Sequence, residues 1–160
     1  MNRAALISGL GLAGVAVAGT IIWSISDEKG VAAKEDIAGD VALGKAIYDD
    51  YCAACHGANL EGQPDWKSPG PHGRLPAPPH DETGHTWHHP DSMLFAYIKL
   101  GGSAVMAEQG ITFDSGMPGF GDQLSDEEIQ AVIAYLKSTW PAPVQKMQAA
   151  RTAADDKTGG

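Results

Sequence analysis

Cysteine is nearly absent: Cys52 and Cys55 are the only two in 160 residues. That excludes a multi-disulfide secreted scaffold, and equally a four-cysteine zinc or iron–sulfur site built by this chain alone. Positive charge is also scarce, with 11 basic residues against 20 acidic and a formal net charge of -9. A nucleic-acid binder needs a basic patch to neutralise phosphates, so that class is excluded too. No repeat with a period of 20–50 residues is visible, which removes the solenoid architectures. What remains is one domain of ordinary length. At 43% hydrophobic and 19% charged residues it can bury a core. Its 20 glycines and 10 prolines point to a loop-rich fold with few long elements.

The one long apolar run is N-terminal. Ala4 to Ile25 carries no charge over 22 residues. As a helix it would span roughly 33 Å, enough for a hydrocarbon core of about 30 Å. Arg3 precedes it and Asp27 and Glu28 follow it, which orients the remainder of the chain outside the cytoplasm. Trp23 suits an interfacial anchor. The competing reading is a cleaved signal peptide, since Ala16-Val17-Ala18 has the small-residue cleavage pattern. The anchor is preferred because Thr20-Ile21-Ile22-Trp23 carries the run past that point. Either way the domain is exported. The expected division is a signal-anchor or signal peptide over 1–26, a tether over 27–39, a domain over 40–141, and a polar tail over 142–160.

Asp40 is expected to cap a helix from about Val41, with Leu43, Ile47 and Tyr51 on one side. Residues 57–90 hold seven of the ten prolines and five of the six histidines, without a sustained period. They read as a long ordered loop, which in a compact domain carries function or wraps something. Pro90 opens a short helix over Asp91–Leu100, followed by Gly101. Ser125-Asp126-Glu127-Glu128 forms a capping box ahead of Ile129, Val132, Ile133 and Leu136 at helical spacing. Pro141 stops that helix. The tail is expected to be partly helical, with its last ten residues disordered.

The chemistry is concentrated in Cys52-Ala53-Ala54-Cys55-His56, the C-x-x-C-H pattern of covalent c-type haem attachment. Two thiols three residues apart at a helix end reach two vinyl groups on one porphyrin edge, and the next residue can ligate the iron. A redox C-x-x-C would prefer a βαβ context, and a zinc site lacks its second pair.

Beyond the motif, the sequence resembles the class I cytochrome c family over about residues 40–140. Gly44, Tyr48, Cys52, Cys55 and His56 stand at the family spacing. Val132-Ile133-Ala134-Tyr135-Leu136 is similar to its terminal helix, and Met117-Pro118-Gly119-Phe120 to its axial-methionine segment. The resemblance implies an all-α fold of 3–5 helices around one covalent haem c, here with an N-terminal transmembrane helix. It implies a close crossing of first and last helices at Gly44 and Tyr135. It implies His56 and Met117 as iron ligands, with Phe120 over the ring. Among the other methionines, Met93 falls on the apolar side of a helix, and Met106 is the competitor of Met117.

The His56 side of the haem is expected to lie along Leu75-Pro76-Ala77-Pro78-Pro79-His80, where a carbonyl accepts the Nδ1 hydrogen of His56. Pro78 is the candidate, although the sequence leaves open which proline supplies it. Arg74, Trp87 and nearby histidines are candidates to bond the propionates. His85 with His88 or His89, plus Met93 or Met106, offers donors that suit copper; polar residues lining the propionate edge are the preferred reading.

The expected function is single-electron transfer rather than catalysis. Expected partners are membrane-bound respiratory or photosynthetic complexes: a quinol:cytochrome c oxidoreductase as donor, a terminal oxidase or reductase as acceptor. The expected place is the inner membrane, single-pass, with the haem domain on the periplasmic side. The alternatives are a copper-handling or assembly protein, or a haem enzyme or sensor, using the loop 72–89. Removing residues 1–26 leaves 20 acids and 10 bases. Docking through a lysine ring is therefore not expected; an apolar edge or a partly basic partner is.

Overall fold

The computed structural model describes residues 40–71 and 73–159. The apolar run Ala4–Ile25, the tether and His72 lie outside the described residues. Among the described residues the chain is helical and strand-free. Helix α1 covers 40–51, and a turn at Cys52 leads into α2, Ala53–His56. A 3-10 turn over Thr86–His88 interrupts the long loop. Then follow α3 (Asp91–Leu100), α4 (Gly102–Glu108), α5 (Asp126–Thr139) and α6 (Ala142–Thr158). No helix among the described residues is long and apolar enough to cross a membrane.

The core forms where α5 meets α1 and α3. Ile129, Val132, Ile133 and Leu136 recur at helical spacing and are all buried, together with Ile47, Tyr48, Leu94, Ile98 and Trp140. The α1–α5 crossing is set by Gly44. A Cβ there would sit 1.9 Å from the Ala131 carbonyl oxygen, so no side chain is compatible with this approach. Tyr48 and Tyr135 pack beside it with ring centroids 5.5 Å apart. The capping box at the start of α5 is complete. The Glu128 N–H donates to Ser125 Oγ at 3.2 Å, and the Ser125 N–H donates to Glu128 Oε2 at 2.8 Å. These bonds satisfy two orphan donors and point the helix at the crossing.

Three expectations need correction. Asp40 is already helical, which removes its expected capping role. Helix α4 was not foreseen; only Gly102 and Val105 are buried in it, too few to leave an apolar period. The tail is not partly disordered at its end: α6 runs 17 residues to Thr158. It shows no apolar stripe because polar side chains hold it. Gln148 Nε2 donates to the His89 carbonyl and to Asp91 Oδ1, the Asp91 N–H donates to Thr152 Oγ1, and Ser92 Oγ donates to Asp155 Oδ2. The Thr152 bond covers one free donor at the start of α3 and the others tie down side chains and a carbonyl there, a need that hydrophobic periodicity does not reveal.

Candidate functional site

The C-x-x-C-H segment continues α1 rather than breaking from it. The Cys52 N–H donates to the Tyr48 carbonyl at 2.9 Å, and the Cys55 and His56 N–H groups both donate to the Cys52 carbonyl at 3.1 and 2.9 Å. One tight turn therefore carries both thiols and the imidazole. The thiols are free, Cys52 half-buried and Cys55 exposed. Burial, and then the neighbouring Cys55, pushes the Cys52 thiol up to about 11. A nucleophilic cysteine needs the opposite shift, so Cys52 is not an activated thiol.

His56 is 7% exposed, with Nδ1 2.8 Å from the Pro78 carbonyl oxygen. A carbonyl only accepts, so Nδ1 carries the hydrogen and Nε2 is left with its lone pair, the form a metal requires. Burial holds the imidazole below its ordinary value, with the Pro78 bond opposing. Gly62 makes this arrangement possible. Its N–H donates to the His56 carbonyl at 2.7 Å, its φ is +68°, and a Cβ would fall 2.4 Å from Pro79 N and 2.6 Å from the Pro78 carbonyl carbon. Behind the turn, the fully buried Tyr48 donates its hydroxyl hydrogen to the Gly57 carbonyl at 2.8 Å. Burial raises that phenol well above its ordinary value, so it stays protonated.

The Met117 segment is tied to the end of α3. The Gly102 N–H donates to the Met117 carbonyl at 3.2 Å, Phe120 N–H to Ile98 at 2.9 Å, and Gly121 N–H to Lys99 at 3.0 Å. Phe120 meets Tyr51 edge-on at 6.0 Å, one residue before Cys52, so this segment reaches the cysteine turn. Met117 is half-buried against the core, and its sulfur has no hydrogen-bond partner among the described residues. Met106 differs: its Sδ accepts the Tyr97 hydroxyl at 3.1 Å. The two methionine sulfurs thus differ in their surroundings.

Both named propionate candidates make contacts within the chain. Arg74 Nε donates to Asp114 Oδ2 at 2.8 Å, linking the two loops through an exposed ion pair. Trp87 Nε1 donates to the Glu82 carbonyl at 3.3 Å while its ring stacks on His88. Among the described loop histidines, His85 and His89 are neighbours. His85 stacks on Trp66 and meets His89 edge-on at 5.4 Å. Among the described residues no group of three His, Cys, Asp or Glu side chains is placed to hold a metal ion. The stretch ending at His80 is expected on the His56 side, but its contact there is not: the His80 ring stacks on His56 with centroids 4.0 Å apart. Only its position two residues after Pro78 hinted at this.

The donors present fit a covalently attached haem: two free thiols on one turn, an imidazole with Nδ1 already fixed, and a thioether with no competing partner. A model of the Cytochrome c family matches residues 41–140. No curated protein and no solved structure matched the chain.

Proposed function

The chain belongs to the cytochrome c family, which implies covalent haem c and suggests electron transfer, and from that premise we propose a monohaem carrier of single electrons. The observation that carries this reading is the Cys52–His56 turn, with His56 Nδ1 fixed by the Pro78 carbonyl. Cys52 and Cys55 would hold the group covalently, and His56 Nε2 and the Met117 sulfur would be its protein ligands to iron. The haem would supply a metal that gains and loses one electron. The chain's part is to fix these donors so that little has to move when the charge changes. Pro78 maintains the ligating tautomer, and Phe120, braced on Tyr51, holds the Met117 segment over the cysteine turn.

The donor is a membrane-bound quinol:cytochrome c oxidoreductase and the acceptor a terminal oxidase or reductase. Ala4–Ile25 anchors the domain on the periplasmic side, which raises its local concentration beside such complexes. The surface favours apolar docking. Lys45, Arg74, Lys99 and Lys137 are each paired with a carboxylate, which blunts steering by positive charge. Leu75, Leu100, Ile111 and Phe113 are all more than a third exposed.

The test is rapid mixing of the purified protein with membranes supplying a quinol, then with oxidase membranes. Reduction and reoxidation within turnover time, with no carbon monoxide bound by the reduced form, are expected. An iron that binds carbon monoxide readily and exchanges no electrons with membranes would reject the carrier reading.

A further inference from the structure

The imidazole of His56 is held along one edge by the Pro78 bond and across one face by a second imidazole. The ring of His80 lies 4.0 Å away, at 22° to it. His80 is itself braced. Its Nδ1 is 2.7 Å from Thr86 Oγ1, and the buried Thr86 hydroxyl reaches the Pro79 carbonyl at 3.5 Å. Its N–H donates to the Leu60 carbonyl at 2.8 Å, and the Trp140 indole donates to its carbonyl at 2.7 Å. Tyr48 closes the remaining side, edge-on at 6.2 Å. The acceptor and the wall come from one short stretch, Pro78-Pro79-His80, whose two prolines have restricted φ.

We propose that His80 is a positioning residue for His56, fixing the plane of that imidazole about its bond to iron. A single off-axis hydrogen bond leaves a ring free to rock through the plane of its acceptor. A flat, immobile neighbour at van der Waals distance removes that freedom. The plane of an axial imidazole sets how its π orbital overlaps the iron d orbitals, so it governs the magnetic anisotropy of ferric iron. This role rests on the reading of His56 as an iron ligand.

The test compares His80→Ala, His80→Phe and Thr86→Val with the wild type, all as covalent holoproteins. Paramagnetic resonance g-values and haem-methyl proton shifts of the ferric form report the ring plane, which a merely structural role would not move. His80→Ala is expected to shift and broaden the g-values and spread the methyl shifts. His80→Phe restores a flat wall and brings both close to wild type. Thr86→Val loosens the wall without removing it and gives an intermediate broadening. Where His80→Ala does not accumulate with haem, Thr86→Val decides alone. Wild-type g-values and methyl shifts in His80→Ala, or in Thr86→Val in that case, would overturn the proposal. A wild-type protein lacking a low-spin ferric signal would instead reject His56/Met117 ligation itself.

Discussion

The two sides of the site are built differently. The His56 side is a proline-rich loop locked from several directions: Gly62 to the His56 carbonyl, Pro78 to Nδ1, His80 across the ring, and Trp140 to the His80 carbonyl. The Met117 side is a short, largely exposed stretch held by backbone bonds to the end of α3, by the Met117 N–H donating to Ser115 Oγ, by the Ser115 N–H donating to Ser103 Oγ, and by one aromatic contact. One ligand is over-determined, while the other depends on a tether. A cytochrome built this way should lose its sulfur ligand before its nitrogen ligand, since segments with few buried contacts open first.

The sharpest way to break that comparison is at the sulfur. Met117→Ala should abolish the weak red-region band of ferric sulfur ligation, lower the potential and open the ferrous iron to carbon monoxide. Met106→Ala should leave all three nearly unchanged, because its sulfur already serves Tyr97. Next, Gly62 and Gly116 should respond unequally, because the space around each differs. Gly62→Ala places a Cβ against Pro78 and Pro79 at positive φ and should cost more than about 1 kcal/mol, read as a lower Tm. Gly116→Ala, with nothing within 4 Å, should stay within about 0.5 kcal/mol of wild type. In a denaturant titration the red-region band should disappear at a lower concentration than the signals of global unfolding. Coincident loss would erase the proposed difference between the sides.

The smallest effect expected is on pH. Burial, reinforced by neighbouring positive groups, holds His85 and His89 below the ordinary histidine value of 6.5. In the unfolded chain both take up protons near 6.5, whereas the folded domain resists. Stability is therefore fully present above that pH and declines as pH falls through the folded values. Thermal melts at a series of pH values should show a flat region above neutrality and a fall in the mildly acidic range. Replacing both histidines with Gln should flatten the fall.

Much of this was legible in the sequence because it rests on local rules. The C-x-x-C-H turn, the Ser125–Glu128 box and the Ile129–Leu136 stripe each lie within a few residues. The Gly44 crossing is long-range, but family resemblance carried it. What escaped was set by distant polar bonds. Helix α6 rests on Gln148, Thr152 and Asp155 reaching the start of α3. The Arg74–Asp114 pair spans 40 residues, and Trp87 bonds the Glu82 carbonyl; neither contact has a signal in spacing. The His56–His80 stack spans a loop with no period, where spacing says nothing about which rings meet. Of the methionines, Met117 is favoured by the likeness of Met117-Pro118-Gly119-Phe120 to the family's segment, whereas the Tyr97–Met106 contact is visible only in the fold.

The central claim is one haem, covalently held by Cys52 and Cys55 with His56 beneath the iron. Acid–acetone extraction followed by intact mass measurement tests it most directly. The account predicts a chain that retains the mass of one haem after extraction, and loses it when both cysteines are replaced by alanine. A chain stripped of haem by extraction, or carrying more than one, would contradict it.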